Sequence, residues 1–470
     1  MNYTKLFNNK SIIFCLFLLY LILQVPWLTD VRPVFTDESW YTNSAYNFSQ
    51  NFSVQNSNVK YAGDINFIFP LIQGLFFLLF GYSLFLARFV SVIAGLFAIM
   101  LLLKILNELG ISTRNSIFTV LAFIVVPNFH AVFRYARPES WAIVFVLFSL
   151  LYFVKYFKNS SLKNIFFIGL FCAFGFLTHP YVLSFAVFYG IIILFRSIKS
   201  KKIAPILIFI TPILLGIILF YINFIHLYGS QNFQRILERA NSVNYNYLMQ
   251  IQSNLKDVYL EFFIGKRIIF SYPLTFLLLF GLFSKRKNEL LFQSSLMGLS
   301  IFLISLISFS SAMFYNIIHY VFILAILNLS FIFINYKKKS VTIFISLFLL
   351  LMLGSNIYYD ISKYEPINSK LVHDFNELVP KNKRVFGAIE FWLFLPNTRY
   401  ISTLYYGLSE DTDFKTFPSK FDYFVIFEKD VMNKNAFIEK LNKYFLNYPS
   451  NKLIYKLYSK NYGLIKLYSL

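Results

Sequence analysis

The chain has 470 residues, 57% hydrophobic and only 14% charged, with a formal net charge of +21 and a mean hydropathy of +0.60. This exceeds what a soluble core needs and defines a polytopic membrane protein. The cations alternate with bilayer-length apolar runs, so topology and anionic lipid explain them without nucleic acid. Cys15 and Cys172 both sit inside apolar segments, so neither a disulfide framework nor a cysteine metal site is indicated.

A spanning helix needs about 20 apolar residues, with a lower limit near 17. On that criterion the chain predicts eleven spans, at 11–28, 84–105, 115–133, 140–157, 164–179, 181–196, 203–225, 268–284, 290–309, 316–335 and 341–358. The first follows Lys5 and Lys10 as a signal peptide would, but Gln24-Val25-Pro26-Trp27 is no small-residue cleavage site, so it reads as a retained helix. The apolar run at 67–80 is too short to span and reads as re-entrant or interfacial.

Charge decides how these segments are oriented. With 67–80 kept on the outer surface, Lys104 and Arg114, then Lys155, Lys158 and Lys163, then Arg196 to Lys202, Lys285 to Lys287 and Lys337 to Lys339 all face the cytoplasm. That is the distribution expected of short cytoplasmic loops. It predicts a cytoplasmic N-terminus and a transmembrane domain over 1–358, with external loops at 29–83 and 226–267. An external domain over 359–470 completes the chain, and a bacterial inner membrane is the expected location.

The loop 29–83 carries an amphipathic surface stretch at 39–52, and 226–267 reads as surface helices. In the tail, 384–389, 400–404, 421–427, 453–458 and 464–468 read as strands, 435–445 as an amphipathic helix, and Asn461-Tyr462-Gly463 as the turn of a closing hairpin. The expected fold class is therefore a polytopic α-helical membrane protein with a small external α/β domain.

Residues suited to chemistry gather on the predicted external side. Asp37 and Glu38 follow the first span, where partial dehydration would raise a carboxylate's pKa toward that of a useful base. A helix N-cap at Thr36 or Asp37 favours the same residue types, so local sequence leaves both readings open. Arg134 and Arg137 suit bidentate phosphate binding with Glu139 orienting one of them. An interfacial basic patch, with Pro138 and Glu139 opening the next helix, is the plain structural alternative. Arg88 lies about one turn inside its helix, a depth at which a charge requires a partner: Asp37, Glu38, Asp64 or a ligand phosphate. All 5 histidines fall at or beyond the external side, yet no HExxH, CxxC, Walker loop, GxSxG or GxGxxG occurs.

An ordered set of motifs runs through the first half: Asp37-Glu38, Phe69-Pro70-Leu71, Phe80-Gly81-Tyr82-Ser83 with Arg88, Ala136-Arg137-Pro138-Glu139 and Thr178-His179-Pro180. The set resembles the GT-C superfamily of membrane glycosyltransferases, in the branch of the protein O-mannosyltransferases and the lipid A aminoarabinose transferase. The resemblance covers residues 10–230 well, the later helices in outline, and the tail as a small external domain. It implies transfer of a sugar from a polyprenyl-phosphate carrier to a lipid, glycan or protein acceptor on the external face, in one inverting displacement. Asp37 would serve as base, with Glu38 in support. Arg88, Arg134, Arg137, Arg267 and His319 would meet the donor phosphate. Some relatives hold a divalent metal between an acid and a histidine, which here implies Asp64, Glu139 and His179.

The chain departs from the pattern twice, in a single Pro70 where the family usually has Pro-Pro-Leu, and in His319-Tyr320 where many relatives carry Arg-Tyr. Only a protonated histidine would bring charge to the donor. The competing readings are a transporter or flippase of lipid-linked sugars and a polymerase or ligase of such lipids. Transporters place ionisable groups near the bilayer midplane, whereas these spans keep theirs at the ends.

Overall fold

The computed structural model describes residues 10–30, 33–34, 36–56, 66–242, 323–328, 339–402, 421–427 and 452–470, together with isolated positions between 252 and 299. The protein is mostly helical. Helices α1 (Lys10–Gln24), α2 (Thr36–Asn51), α3 (Ile68–Phe80), α4 (Leu84–Glu108), α5 (Thr113–Val125), α6 (Pro127–Val132), α7 (Glu139–Lys158) and α8 (Leu162–Thr178) follow in order. After a 3₁₀ turn at Pro180–Val182 come α9 (Leu183–Ser200), α10 (Ala204–Ser242), α11 (Lys339–Lys363) and α12 (Ile367–Leu378).

Among the described residues, five helices are long and apolar enough to cross a membrane: Leu84–Glu108, Glu139–Lys158, Pro180–Ser200, Ala204–Leu227 and Ile345–Leu378. The protein is integral to a membrane. Four shorter apolar helices accompany them, Lys10–Gln24, Ile68–Phe80, Thr113–Val125 and Leu162–Thr178. The spans predicted at 268–284, 290–309 and 316–335 lie outside the described residues, apart from a helical stretch at 323–328.

Two boundaries differ from the sequence reading, each for a backbone reason. The span expected over 115–133 is interrupted at Val126, whose ψ of 124° is extended. Pro127 has no N–H to donate, its ring would strike the carbonyl four residues back, and it opens α6 instead. At the other boundary, the helix expected to stop at 225 runs on to Ser242. The lone Gly229 costs only about 1 kcal/mol in a helix interior and has no proline beside it to force a stop. The rest of the predicted surface region, 243–267, falls almost wholly outside the described residues.

Packing divides the chain into two units. One comprises Met1–Gln24, Ser91–Arg134 and Pro138–Ile357; the other comprises Val25–Val90, Tyr135–Arg137 and Tyr358–Leu470. In the first, α8 packs against α7 and α10, and glycine permits the close approach of α8 to α10. A Cβ at Gly169 would lie 2.3 Å from the Phe209 carbonyl oxygen.

The second unit joins the loop after α1, helices α2 and α3, and the start of α4 to the C-terminal sheet. At 13 residues, α3 has the short length expected there. At 1.5 Å per residue it reaches about 20 Å, against a hydrocarbon core of about 30 Å. It leaves Leu75, Leu78, Leu79 and Phe80 exposed.

The sheet has five strands in the order β2-β1-β3-β5-β4: β1 (Arg384–Gly387), β2 (Arg399–Ser402), β3 (Tyr423–Phe427), β4 (Lys452–Ser459) and β5 (Gly463–Ser469). Strand β1 pairs in parallel with β2 and β3, while β5 pairs antiparallel with β3 and β4. These are the five strands expected from the alternating runs. Gly463, with φ 74°, closes the β4–β5 hairpin where a left-handed residue is required. The helix expected at 435–445 lies outside the described residues. Two elements went unpredicted, α12 and a 3₁₀ turn at Ile389–Phe394. Both contribute to the domain core, through Leu371 and Phe375 on one and Phe391, Trp392 and Phe394 on the other.

Candidate active site around Asp37

The surface helix α2 opens with Thr36-Asp37-Glu38, and its two acids face different surroundings. Glu38 is fully buried, as is Arg88. Arg88 donates from Nε to Glu38 Oε1 at 3.0 Å and from Nη2 to Glu38 Oε2 at 2.9 Å, a two-pronged fork. Its remaining donors go to the carbonyl oxygens of Leu28, Thr29 and Pro33. The partner that a charge inside α4 required is therefore Glu38. All five guanidinium N–H groups are engaged within the protein, which leaves Arg88 no donor to offer a phosphate in this arrangement.

Glu38 also organises the segment between α6 and α7. Its Oε1 accepts the Ala136 backbone N–H at 2.9 Å, fixing the short Tyr135-Ala136-Arg137 piece against α2. The Tyr135 ring lies 5.9 Å from the Arg88 guanidinium. The next residue, Arg137, reaches Asp37, with Nη2 to Oδ2 at 3.2 Å. In contrast to Glu38, the Asp37 side chain is 55% exposed, and that of Arg137 28%. The geometry thus provides one accessible carboxylate, held by one partly accessible guanidinium, on a buried ionic support.

A third carboxylate belongs to the same neighbourhood and was not foreseen. Glu390, from the 3₁₀ turn of the C-terminal domain, accepts the Thr36 hydroxyl at 2.5 Å. Its pKa is raised above the ordinary carboxylate value, first by desolvation and further by the Asp37 charge, with the Thr36 hydrogen bond opposing. The signal in sequence was a single acid in an otherwise apolar run, Ile389-Glu390-Phe391-Trp392-Leu393-Phe394.

The other predicted residues belong to the first unit or lie outside the described set. Arg134, in the first unit, is buried and donates to the Leu23 carbonyl at 3.1 Å, with His130 Nε2 3.4 Å from the same nitrogen. His130 in turn meets Gln24 at 3.1 Å. This network ties the end of α1 to the chain beyond α6. Glu139 is a buried first-turn residue of α7. His179 is the buried C-cap of α8 and meets the Tyr181 ring edge-on at 4.5 Å. Arg267, His319 and Asp64 lie outside the described residues. Among the described residues no group of three His, Cys, Asp or Glu side chains is placed to hold a metal ion.

Comparison with known proteins identifies the fold. A family model described as dolichyl-phosphate-mannose-protein mannosyltransferase matches residues 65–226. The structure of ArnT from Cupriavidus metallidurans bound to undecaprenyl phosphate superposes with a TM-score of 0.60 at 10% identity, covering 98% of each chain. The mycobacterial arabinofuranosyltransferase AftD superposes with a TM-score of 0.54 at 11% identity, covering 98% of this chain and 40% of that one. No curated protein matches in sequence. Over nearly its whole length the chain shares the fold of these two proteins, and over 65–226 it matches the mannosyltransferase family model.

Proposed function

We propose that this protein is a glycosyltransferase that moves a sugar from a polyprenyl-phosphate carrier to an envelope acceptor on the external membrane face, with Asp37 as general base. The likeness to a GT-C protein bound to undecaprenyl phosphate supports the donor class, and the family model supports sugar transfer. The observation that carries the reading is the contrast between exposed Asp37 and buried Glu38, one residue apart.

In this reading the Asp37 carboxylate takes the proton of the acceptor hydroxyl as its oxygen attacks the anomeric carbon. The bond to the carrier phosphate breaks in the same step, giving inversion and releasing polyprenyl phosphate. Arg137 holds Asp37 at 3.2 Å and is partly open to a ligand, so it is the described cation best placed for the leaving phosphate. Arg267 and His319 remain candidates for that task. Glu38 and Arg88 act as the frame. A divalent metal held by Asp64, Glu139 and His179 remains a separate proposal, on which no step above depends. Loss of transfer on chelation and recovery on adding the ion would establish it.

The test is transfer from a panel of radiolabelled undecaprenyl-phosphate sugars to extracted envelope acceptors by the purified protein and Asp37→Asn. General-base catalysis contributes about 10²–10⁴-fold, so the variant should lose at least about 100-fold while its melting transition stays in place. Equal transfer by variant and parent overturns the assignment, and is what a flippase reading requires.

A further inference from the structure

We infer that Glu390, carried by the C-terminal domain, is a positioning residue for the transfer, fixing the Thr36 hydroxyl at the start of α2 and setting a second negative charge against the Asp37 base. The inference rests on Asp37 being that base, and adds that the sheet domain contributes directly to its setting.

The geometry comes from the domain's own packing. Of the turn Ile389–Phe394, every residue except Glu390 is buried. Trp392 stacks at a tilt on Tyr82, 5.8 Å between centroids, and edge-on to Tyr46 of α2 at 5.7 Å. The Tyr82 hydroxyl donates to the Leu393 carbonyl at 2.8 Å. These contacts lock the turn against α2 and the entry to α4, so the one half-buried acid of the turn meets α2 at Thr36 rather than projecting into solvent. The Thr36 hydroxyl donates to it, and the next residue is Asp37.

The charges around the pair define what Glu390 does. Asp37 acts on it electrostatically. Tyr462, from the β4–β5 hairpin, interacts with Glu390, Glu38 and Arg88; burial raises the Tyr462 hydroxyl, which stays neutral. That hydroxyl accepts the Val34 N–H at 2.6 Å and donates to Asn368 at 2.9 Å, fixing the backbone at Val34, two residues before α2. Arg88 is committed to Glu38 and Arg137 to Asp37. Asp37 thus has the Arg137 guanidinium at 3.2 Å and, through the hydrogen bond at the preceding Thr36, the Glu390 carboxylate beside it in the chain. Like charges disfavour each other's ionised form reciprocally, so removing the Glu390 charge is expected to ease ionisation of Asp37. A base held ionised by one neighbour but made more basic by another accepts a proton better than one paired with arginine alone.

The experiment reads Asp37 without needing to know the sugar. Full-length protein in detergent is treated with a water-soluble carbodiimide and glycinamide, which modify the protonated carboxyl. Extent at Asp37 is followed against pH by peptide mass spectrometry. In Glu390→Gln, which keeps an acceptor for Thr36 but loses the charge, the Asp37 midpoint should fall by about half to one pH unit. Glu390→Asp, which keeps the charge one methylene further away, should fall by less. Should Glu390→Gln fail to melt cooperatively, Glu390→Asp and Glu390→Ala supply the same comparison. Superimposed curves for the parent and the folded variants overturn the inference, since a purely structural Glu390 leaves them unmoved. If Asp37→Asn abolishes transfer while the curves superimpose, Glu390 alone is rejected. If Asp37→Asn transfers like the parent, the base reading and the catalytic meaning of Glu390 are rejected together, whatever the curves show.

Discussion

Asp37 and Glu38 are adjacent in sequence, and each is paired with an arginine, yet the two pairs belong to different physical regimes. Glu38 and Arg88 have no exposed side-chain surface and share a fork of two hydrogen bonds, with backbone carbonyls completing the arginine's set. Asp37 and Arg137 meet at 3.2 Å and remain in reach of water. Two charges removed from water pay heavily for desolvation, so such a pair persists only where every donor and acceptor is met, and it then fixes geometry strongly. An exposed pair contributes little stability and leaves its groups available. On a helix, neighbouring side chains point about 100° apart, which is how one turn of α2 serves both purposes.

The largest expected effect comes from breaking the buried pair. Arg88→Met leaves the Glu38 carboxylate buried with no cation, and should cost about 3–5 kcal/mol, seen as a much lower melting temperature or loss of folded yield. Glu38→Gln leaves the opposite charge uncompensated and should do similarly. The double variant Glu38→Leu/Arg88→Met should recover much of the loss, because a buried ion pair replaced by apolar groups is often neutral. It should still fail to transfer sugar, since the Ala136 N–H then loses its acceptor and Arg137 its placement. Independent, additive costs would show that the pair does not act as a unit.

The next effect is catalytic. Asp37→Asn leaves stability within about 1 kcal/mol, the range of exposed pairs, while transfer collapses as described above. Arg137→Ala sharpens the comparison from the other side. Stability should again change by less than about 1 kcal/mol, but the acid limb of the pH–rate profile should move up, because the cation that favours ionised Asp37 is gone. An acid limb that stays in place would mean that the contact of Arg137 with Asp37 does not persist in solution.

How much of this was readable in the chain follows from range. The five strands were legible because alternation and turn residues are local signals, and the same holds for the short apolar helix α3. Ile367, Leu371 and Phe375 repeat at helical spacing and are buried on α12, so that helix was also written in the sequence, although no element was predicted over 367–378. Arg88 was legible as a charge needing a partner, but nothing local singled out Glu38, 50 positions away. Local sequence leaves the roles of Asp37 and Glu38 open, since capping and catalysis select the same residue types, and only the family resemblance separates them. Glu390 was beyond reach because it meets Thr36 only through tertiary packing, across 354 positions. What long-range packing decides, a single sequence does not display.

A third pair, away from Asp37, gives the scale for the smallest effect. Asp422, before β3, accepts the Arg384 backbone N–H at 2.8 Å and its Nε at 3.3 Å, with Lys383 at 3.7 Å. Its pKa is lowered, first by the Arg384 backbone hydrogen bond and then by the side chain and the nearby cations, with desolvation opposing. A carboxylate whose folded pKa is depressed adds stability that is fully present above the unfolded value, about 3.9, and fades as pH falls through the folded one. Asp422→Asn should therefore lower stability at neutral pH by no more than about 1 kcal/mol, and the difference from the parent should shrink as the pH falls below the unfolded value and through the lower folded one. Transfer should be unaffected, because the pair sits at the start of β1 and β3 and not in the turn that carries Glu390. A loss of transfer comparable to that of Asp37→Asn would show that contact between charges, rather than burial and position, governs activity, and the distinction drawn between the two pairs of α2 would lose its basis.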